Sequence, residues 1–223
     1  MVLNWGFHKL FITLMISLMC FFSFSIWQLS HALPAQDSTG VIAVIDMTGN
    51  VYCTKRNRDG SFIDIELIAN IGGSTRAITL GDFNNDIFPD ILAGSKLGQY
   101  SIFFNNGDNT FAKPVEVLDL GLSNTYAEDM SAADVNHDGF LDFVAGTNID
   151  TVIIGLGDGT GNFSTQLFAF GGPGLGLDLA DFDHDGNIDI IQGRTNTGIF
   201  IHFGFGDGNF STGYLVSDNE TSP

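Results

Sequence analysis

Basic side chains are scarce in this 223-residue chain: 8 Lys and Arg stand against 26 Asp and Glu, a formal charge of -18. A surface that negative repels phosphate backbones and anionic headgroups, which excludes non-specific nucleic-acid binding and attraction to an anionic membrane surface. Cysteine is nearly absent. Cys20 lies in an N-terminal apolar run, so Cys53 stands alone beyond it and no internal disulfide can staple the remainder. In V-Y-C it is expected to be a small buried hydrophobe in a strand. Both tryptophans, Trp5 and Trp27, belong to the same N-terminal segment. After Trp27 there is no sustained 3.6-residue periodicity, which excludes helical bundles and βαβ folds. Catalytic signatures are missing as well: there is no G-x-S-x-G, H-E-x-x-H or P-loop. Glu66, Glu116 and Glu128 are scattered, with nothing pairing them into an acid/base site. No enzyme is expected. Disorder is excluded too, because 44% of the chain is hydrophobic and 21 residues are Phe.

Residues 1–35 read as a unit of their own. His8 and Lys9 precede Leu10 to Trp27, an almost unbroken apolar run, and polar and small residues follow. This is the pattern of a secretory signal peptide with cleavage after Ala32 or Ala35. A retained membrane anchor is the alternative, since the run is about 18 residues long. Either way the remainder, 36–218 with a short tail at 219–223, is expected to be exported: secreted, or membrane-anchored with the repeats outside.

What is abundant is aspartate at fixed spacing. In D-F-D-H-D-G-N-I-D-I, Asp181, Asp183, Asp185 and Asp189 take positions one, three, five and nine of a loop. Gly186 takes position six, and the backbone carbonyl of Asn187 is placed for position seven. Alternate carboxylates and one carbonyl, turned around a point by glycine, form an oxygen-only cage suited to a hard cation such as Ca²⁺. The spacing recurs at Asp134, Asn136, Asp138 and Asp142, and again at Asp82, Asn84, Asp86 and Asp90. His137 and His184, at position four, are expected to point outward.

The loops mark a repeat. Short apolar strands and turns follow each loop in the same order, with G-D-N-T-F, G-D-G-T-G-N-F or G-D-G-N-F closing each unit. Units at about 41–70, 75–119, 125–170 and 175–217, each holding short strands, predict an all-β propeller. Three units are complete. The first lacks a metal loop and, in this register, its first strand. A four-bladed ring, a half-ring that pairs with a copy of itself, and a fragment of a longer propeller all stay open.

The motif D-x-[DN]-x-D-G-x-x-D followed by G-D-G-x-F resembles the FG-GAP/VCBS repeat family, found in the calcium-binding propeller heads of integrin α chains and in secreted microbial proteins. The resemblance covers about Val41 to Val216. It implies that each loop joins the first two strands of a blade and binds up to three structural Ca²⁺ in all. The implied ligands are Asp82, Asn84, Asp86, the Phe88 carbonyl and Asp90; Asp134, Asn136, Asp138, the Phe140 carbonyl and Asp142; and Asp181, Asp183, Asp185, the Asn187 carbonyl and Asp189. Ile87 departs from the glycine usual at position six, where the backbone must turn left-handed, so the first loop is expected to be the weakest or to bend differently.

A calcium-stabilised scaffold for extracellular recognition or adhesion is the expected function, with an extracellular protein or glycan as ligand. A purely structural module and a lectin-like binder are the alternatives. Tyr100, Tyr126, Arg194 and Asn196 are candidate contacts. Asn162, Asn209 and Asn219 match the glycosylation sequon.

Overall fold

The computed structural model describes residues 26–31, 41–55, 59, 61–62, 65–72, 76–95, 98–108, 110–121, 125–195 and 197–217. These residues form four antiparallel sheets of four strands, each pairing strands in chain order. The first holds β1 (Ile26–His31), β2 (Val41–Asp46), β3 (Asn50–Lys55) and β4 (Glu66–Asn70). The second holds β5 (Ala77–Gly81), β6 (Asp90–Gly94), β7 (Gln99–Phe103) and β8 (Val115–Asp119). The third holds β9 (Ala127–Ala133), β10 (Asp142–Thr147), β11 (Val152–Gly157) and β12 (Phe163–Phe168). The fourth holds β13 (Gly174–Ala180), β14 (Asp189–Arg194), β15 (Gly198–His202) and β16 (Tyr214–Ser217). The leading strands β1, β5, β9 and β13 pack in series. The arrangement is that of propeller blades in an unclosed row.

The first unit differs from expectation. It has four strands rather than three, because Ile26–His31 pairs along β2. The apolar run and the polar residues after it read together as one leader, and β1 straddles that boundary. Both cleavage positions, and the rest of the leader apart from β1, lie outside the described residues.

Successive side chains on a strand leave opposite faces of the sheet, and here both faces meet a neighbour. On β6, Ile91 and Ala93 enter the core shared with the first sheet, whereas Leu92 enters the core shared with the third. On β10, Phe143 and Ala145 face back to the second sheet, and Val144 faces forward to the fourth. Strands buried on both faces read as continuous apolar runs rather than alternating ones. Cys53 is buried in the first of these cores, as its neighbours led us to expect. Fully burying one Ile or Leu contributes roughly 2 kcal/mol, so these cores outweigh the few polar links between sheets. Those links include Arg76 to Glu128 at 2.7 Å and the Leu177 N–H donating to Asp129 at 2.9 Å.

The Phe143 ring fits because β11 offers no side chain beneath it: a Cβ on Gly155 would overlap the ring. The ring stacks against Tyr100 at 5.8 Å and meets Phe163 edge-on at 5.0 Å. Gly155→Ala is therefore expected to destabilise the fold by about 1–3 kcal/mol through overpacking, measured by denaturant unfolding; stability equal to wild type would contradict this packing.

Candidate metal centre

The three acidic loops join β5 to β6, β9 to β10 and β13 to β14, at the same corner of each sheet. Their hydrogen bonds repeat position by position. The first aspartate accepts from the backbone N–H of position five through one oxygen, at 2.9, 3.2 and 3.1 Å in chain order. Its other oxygen accepts from position six, at 2.8, 3.0 and 3.1 Å. The third-position side chain accepts from position five, and the fifth aspartate accepts from position seven. Each loop is thus wrapped around its own side-chain oxygens.

The ninth aspartate does more than line the loop. Asp90, Asp142 and Asp189 are wholly buried. One oxygen of each accepts from the N–H of position two: Phe83 at 3.1 Å, Val135 at 2.8 Å and Phe182 at 2.8 Å. The other accepts from the end of the third strand or just past it: Asn105 at 2.9 Å, Gly157 at 2.8 Å and Gly204 at 2.8 Å. Burial, opposed by these N–H groups and reinforced by the neighbouring carboxylates, pushes Asp90 up to about 7 and Asp142 up to about 6. A cation in the loop would supply the positive charge that burial and like-charged neighbours demand.

The donor chemistry fits a hard cation. In the third loop, one carboxylate oxygen from each of Asp181, Asp183 and Asp189 lies within 4.8 Å of the others. Asn84 and Asn136 replace that third-position carboxylate in the other two loops, so each carries three aspartates where the third carries four. All these donors are oxygens, and the third loop has the highest negative charge with which to hold Ca²⁺.

Position six is left-handed in every loop: Gly139 and Gly186 have φ of 88° and 96°, and Ile87 has φ of 72°. The first loop therefore bends as its relatives do, and Ile87 bears the strain with its side chain 75% exposed. Position four is left-handed too, at Asn85, His137 and His184. His137 and His184 are exposed, and His137 Nε2 lies 3.1 Å from Asn187 Oδ1 of the next loop. The seventh side chain packs on a glycine of the closing turn: Phe88 on Gly107, Phe140 on Gly159 and Asn187 against Gly206. This contact explains a glycine in each closing turn, placed before the aspartate at Gly107 and Gly206 and after it at Gly159.

The candidate contact residues do not gather into one surface. Tyr100 is fully buried, its hydroxyl without a partner, because its position on β7 faces the third sheet; it belongs to the core. Tyr126 is half-buried beneath the Arg76 guanidinium. Arg194 is buried: it donates to Gln192 at 3.1 Å and to His202 Nε2 at 2.8 Å, and lies over Phe200. His202 in turn donates through Nδ1 to the Ser211 carbonyl at 3.1 Å, and burial beside Arg194 lowers it to about 4. Nothing in the spacing announced this cluster, since its members come together only through the register of β14 and β15. Asn196 and Asn219 lie outside the described residues. Asn162 and Asn209 are exposed, and Asn162 is engaged with Asp158 and Thr160 in its turn.

Two substitutions separate clip from cage. With chelator present, Asp142→Ala is expected to cost about 3 kcal/mol, since two buried N–H groups lose their acceptor. Asp183→Ala, exposed, is expected to cost under about 1 kcal/mol under the same conditions. Equal losses in denaturant unfolding would contradict the distinction. Ile87→Gly is expected to stabilise by about 1 kcal/mol, because glycine removes left-handed strain and no buried contact is lost; a lower melting temperature would contradict it.

A family model described as an FG-GAP-like repeat matches residues 82–145, which take in the first two acidic loops. No curated protein gives a significant match. Among solved structures, the crystal structure of BBS1N in complex with ARL6DN, soaked with lead, is similar in fold, with a TM-score of 0.57 and 12% identity. The match covers 85% of this chain and 57% of that one, so the chain spans little more than half of that solved chain. The chain is therefore similar to FG-GAP-like repeats over its central part and shares a propeller fold along most of its length.

Proposed function

We propose that this chain is an exported, calcium-stabilised repeat scaffold that presents its blade edges for recognition of an extracellular protein or glycan. The observation that carries the calcium reading is the third loop, where three carboxylate oxygens converge within 4.8 Å. The same hydrogen-bonded path in the other two loops extends it to three sites. Asp181, Asp183, Asp185, Asp189 and the Asn187 carbonyl hold the ion in the third loop, and their counterparts hold it in the others. A cage filled mostly by protein oxygens suits a structural ion, and the reading assigns the loops no reaction. Export rests on the apolar run that begins at Leu10, ahead of β1, and on the affinity expected of such modules, about 10⁻⁴ to 10⁻³ M, which extracellular calcium can saturate. Recognition rests on the scaffold itself: rigid repeats hold their loops at one edge. The solved propeller relative was captured in complex with another protein, a use of such blades that parallels this one.

The ion is expected to act as folding energy. At a hundredfold excess over the dissociation constant, each site contributes about 2.7 kcal/mol. Thermal unfolding in about 10 mM CaCl₂, a hundredfold excess over a dissociation constant of about 10⁻⁴ M, should therefore occur several degrees above that in chelator. Coincident melting curves would contradict the calcium reading.

A further inference from the structure

The three acidic loops share one path but are not joined to one another in the same way. His137, at position four of the second loop, reaches the third: its Nε2 lies 3.1 Å from Asn187 Oδ1. Asn187 Nδ2 donates to Asp185 Oδ2 at 2.9 Å, so its Oδ1 is the acceptor that remains and His137 Nε2 carries the proton. The two side chains close over Gly206, where a Cβ would strike both Asn187 Oδ1 and His137 Cδ2. The same closing turn returns to the second loop, since the Gly208 N–H donates to the Val135 carbonyl at 3.3 Å.

Among the described residues no hydrogen bond joins the first loop to the second. Asn85 stands exposed at position four of the first loop. Position seven of the second loop is Phe140, whose ring packs on Gly159 and offers no acceptor. The link between the second and third loops, by contrast, runs through implied ligands at both ends. Asn187 lends its carbonyl to the third loop, while its N–H and side chain grip Asp185. His137 sits between Asn136 and Asp138 with φ of 59°, so its orientation sets theirs. Asp185 and the Asn187 carbonyl, once engaged by an ion, hold the Asn187 amide where His137 meets it. A second loop ordered in advance in this way costs less entropy to fill, and the effect is reciprocal.

We propose that the second and third loops bind Ca²⁺ as a coupled pair, with His137 as the positioning residue between them, while the first loop binds alone. The proposal rests on the calcium reading above and adds to it which sites communicate. Filling either loop of the pair raises the affinity of the other about fivefold, the low end of such couplings, as befits a link of one side-chain and one backbone hydrogen bond.

The test is calorimetric titration of the chelator-stripped full chain with CaCl₂ at neutral pH. Asp82→Ala leaves the second and third loops, and its second ion is expected to bind about fivefold more tightly than either loop binds alone. The lone loops are read from Asp82→Ala combined with Asp134→Ala or with Asp181→Ala. Asp181→Ala by itself leaves the first and second loops, which are expected to behave as independent sites. His137→Asn copies Asn85 and keeps a residue that tolerates left-handed backbone, but its side chain is too short to span the gap. Added to Asp82→Ala, it is expected to remove the fivefold gain while two ions still bind. Independent sites in Asp82→Ala, or a gain that survives His137→Asn, would overturn the coupling and leave the calcium reading intact. Absence of binding heat in wild type would overturn both together. Should an aspartate variant not fold, wild type against His137→Asn still decides: a shallower isotherm is expected, and superimposable isotherms would overturn the proposal.

Discussion

Each metal-type loop depends on one buried carboxylate that serves two parts of the chain. Asp90, Asp142 and Asp189 hold the second residue of the loop with one oxygen and the chain at the end of the third strand with the other. The corner between the first two strands is thereby fixed to the far side of the same sheet. Burying an ionised carboxylate is costly unless it is fully hydrogen-bonded or charge-compensated. Four N–H and cation partners, rather than two, would satisfy it best, and the loop's remaining oxygens are arranged where a cation can supply that compensation. Loop and sheet are in this sense one device.

The sheets themselves are held by a different force. Each buries both faces, so the apolar cores lie between blades and not within them. Among the described residues, the forward face of the fourth sheet, turned away from the third, is left partly exposed. The inner sheets bury Tyr100 and Val152 wholly at the position where the fourth sheet leaves Ile199 42% exposed. Polar groups add direction at few places, notably Asp129 receiving the Leu177 N–H across the gap between the third and fourth sheets.

Much of this was legible in the residues. The repeat period, the four units and the loop corners followed from aspartate spacing and from G-D turns, because a turn that must wrap oxygens and pass left-handed leaves a composition behind it. The left-handed sixth position was readable at Ile87, although its consequence was not: the loop keeps its bend and bears the strain. The strand Ile26–His31 was hidden because it begins inside an apolar run whose length and flanks describe a leader equally well. The dual role of the ninth aspartate was hidden for another reason. Its second partner lies 15 residues downstream, brought close by strand register, and spacing within the loop carries no trace of it. Tyr100 shows the same limit, for an aromatic on a strand is surface or core according to a face that only the neighbouring sheet defines.

The central claim is that the three loops are ion sites of one design. Calorimetric titration of chelated protein with CaCl₂ tests it most directly. The account predicts three ions per chain, falling to two when Asp181 is replaced by Ala. Absence of binding heat up to millimolar calcium, or a stoichiometry unchanged by that substitution, would contradict it.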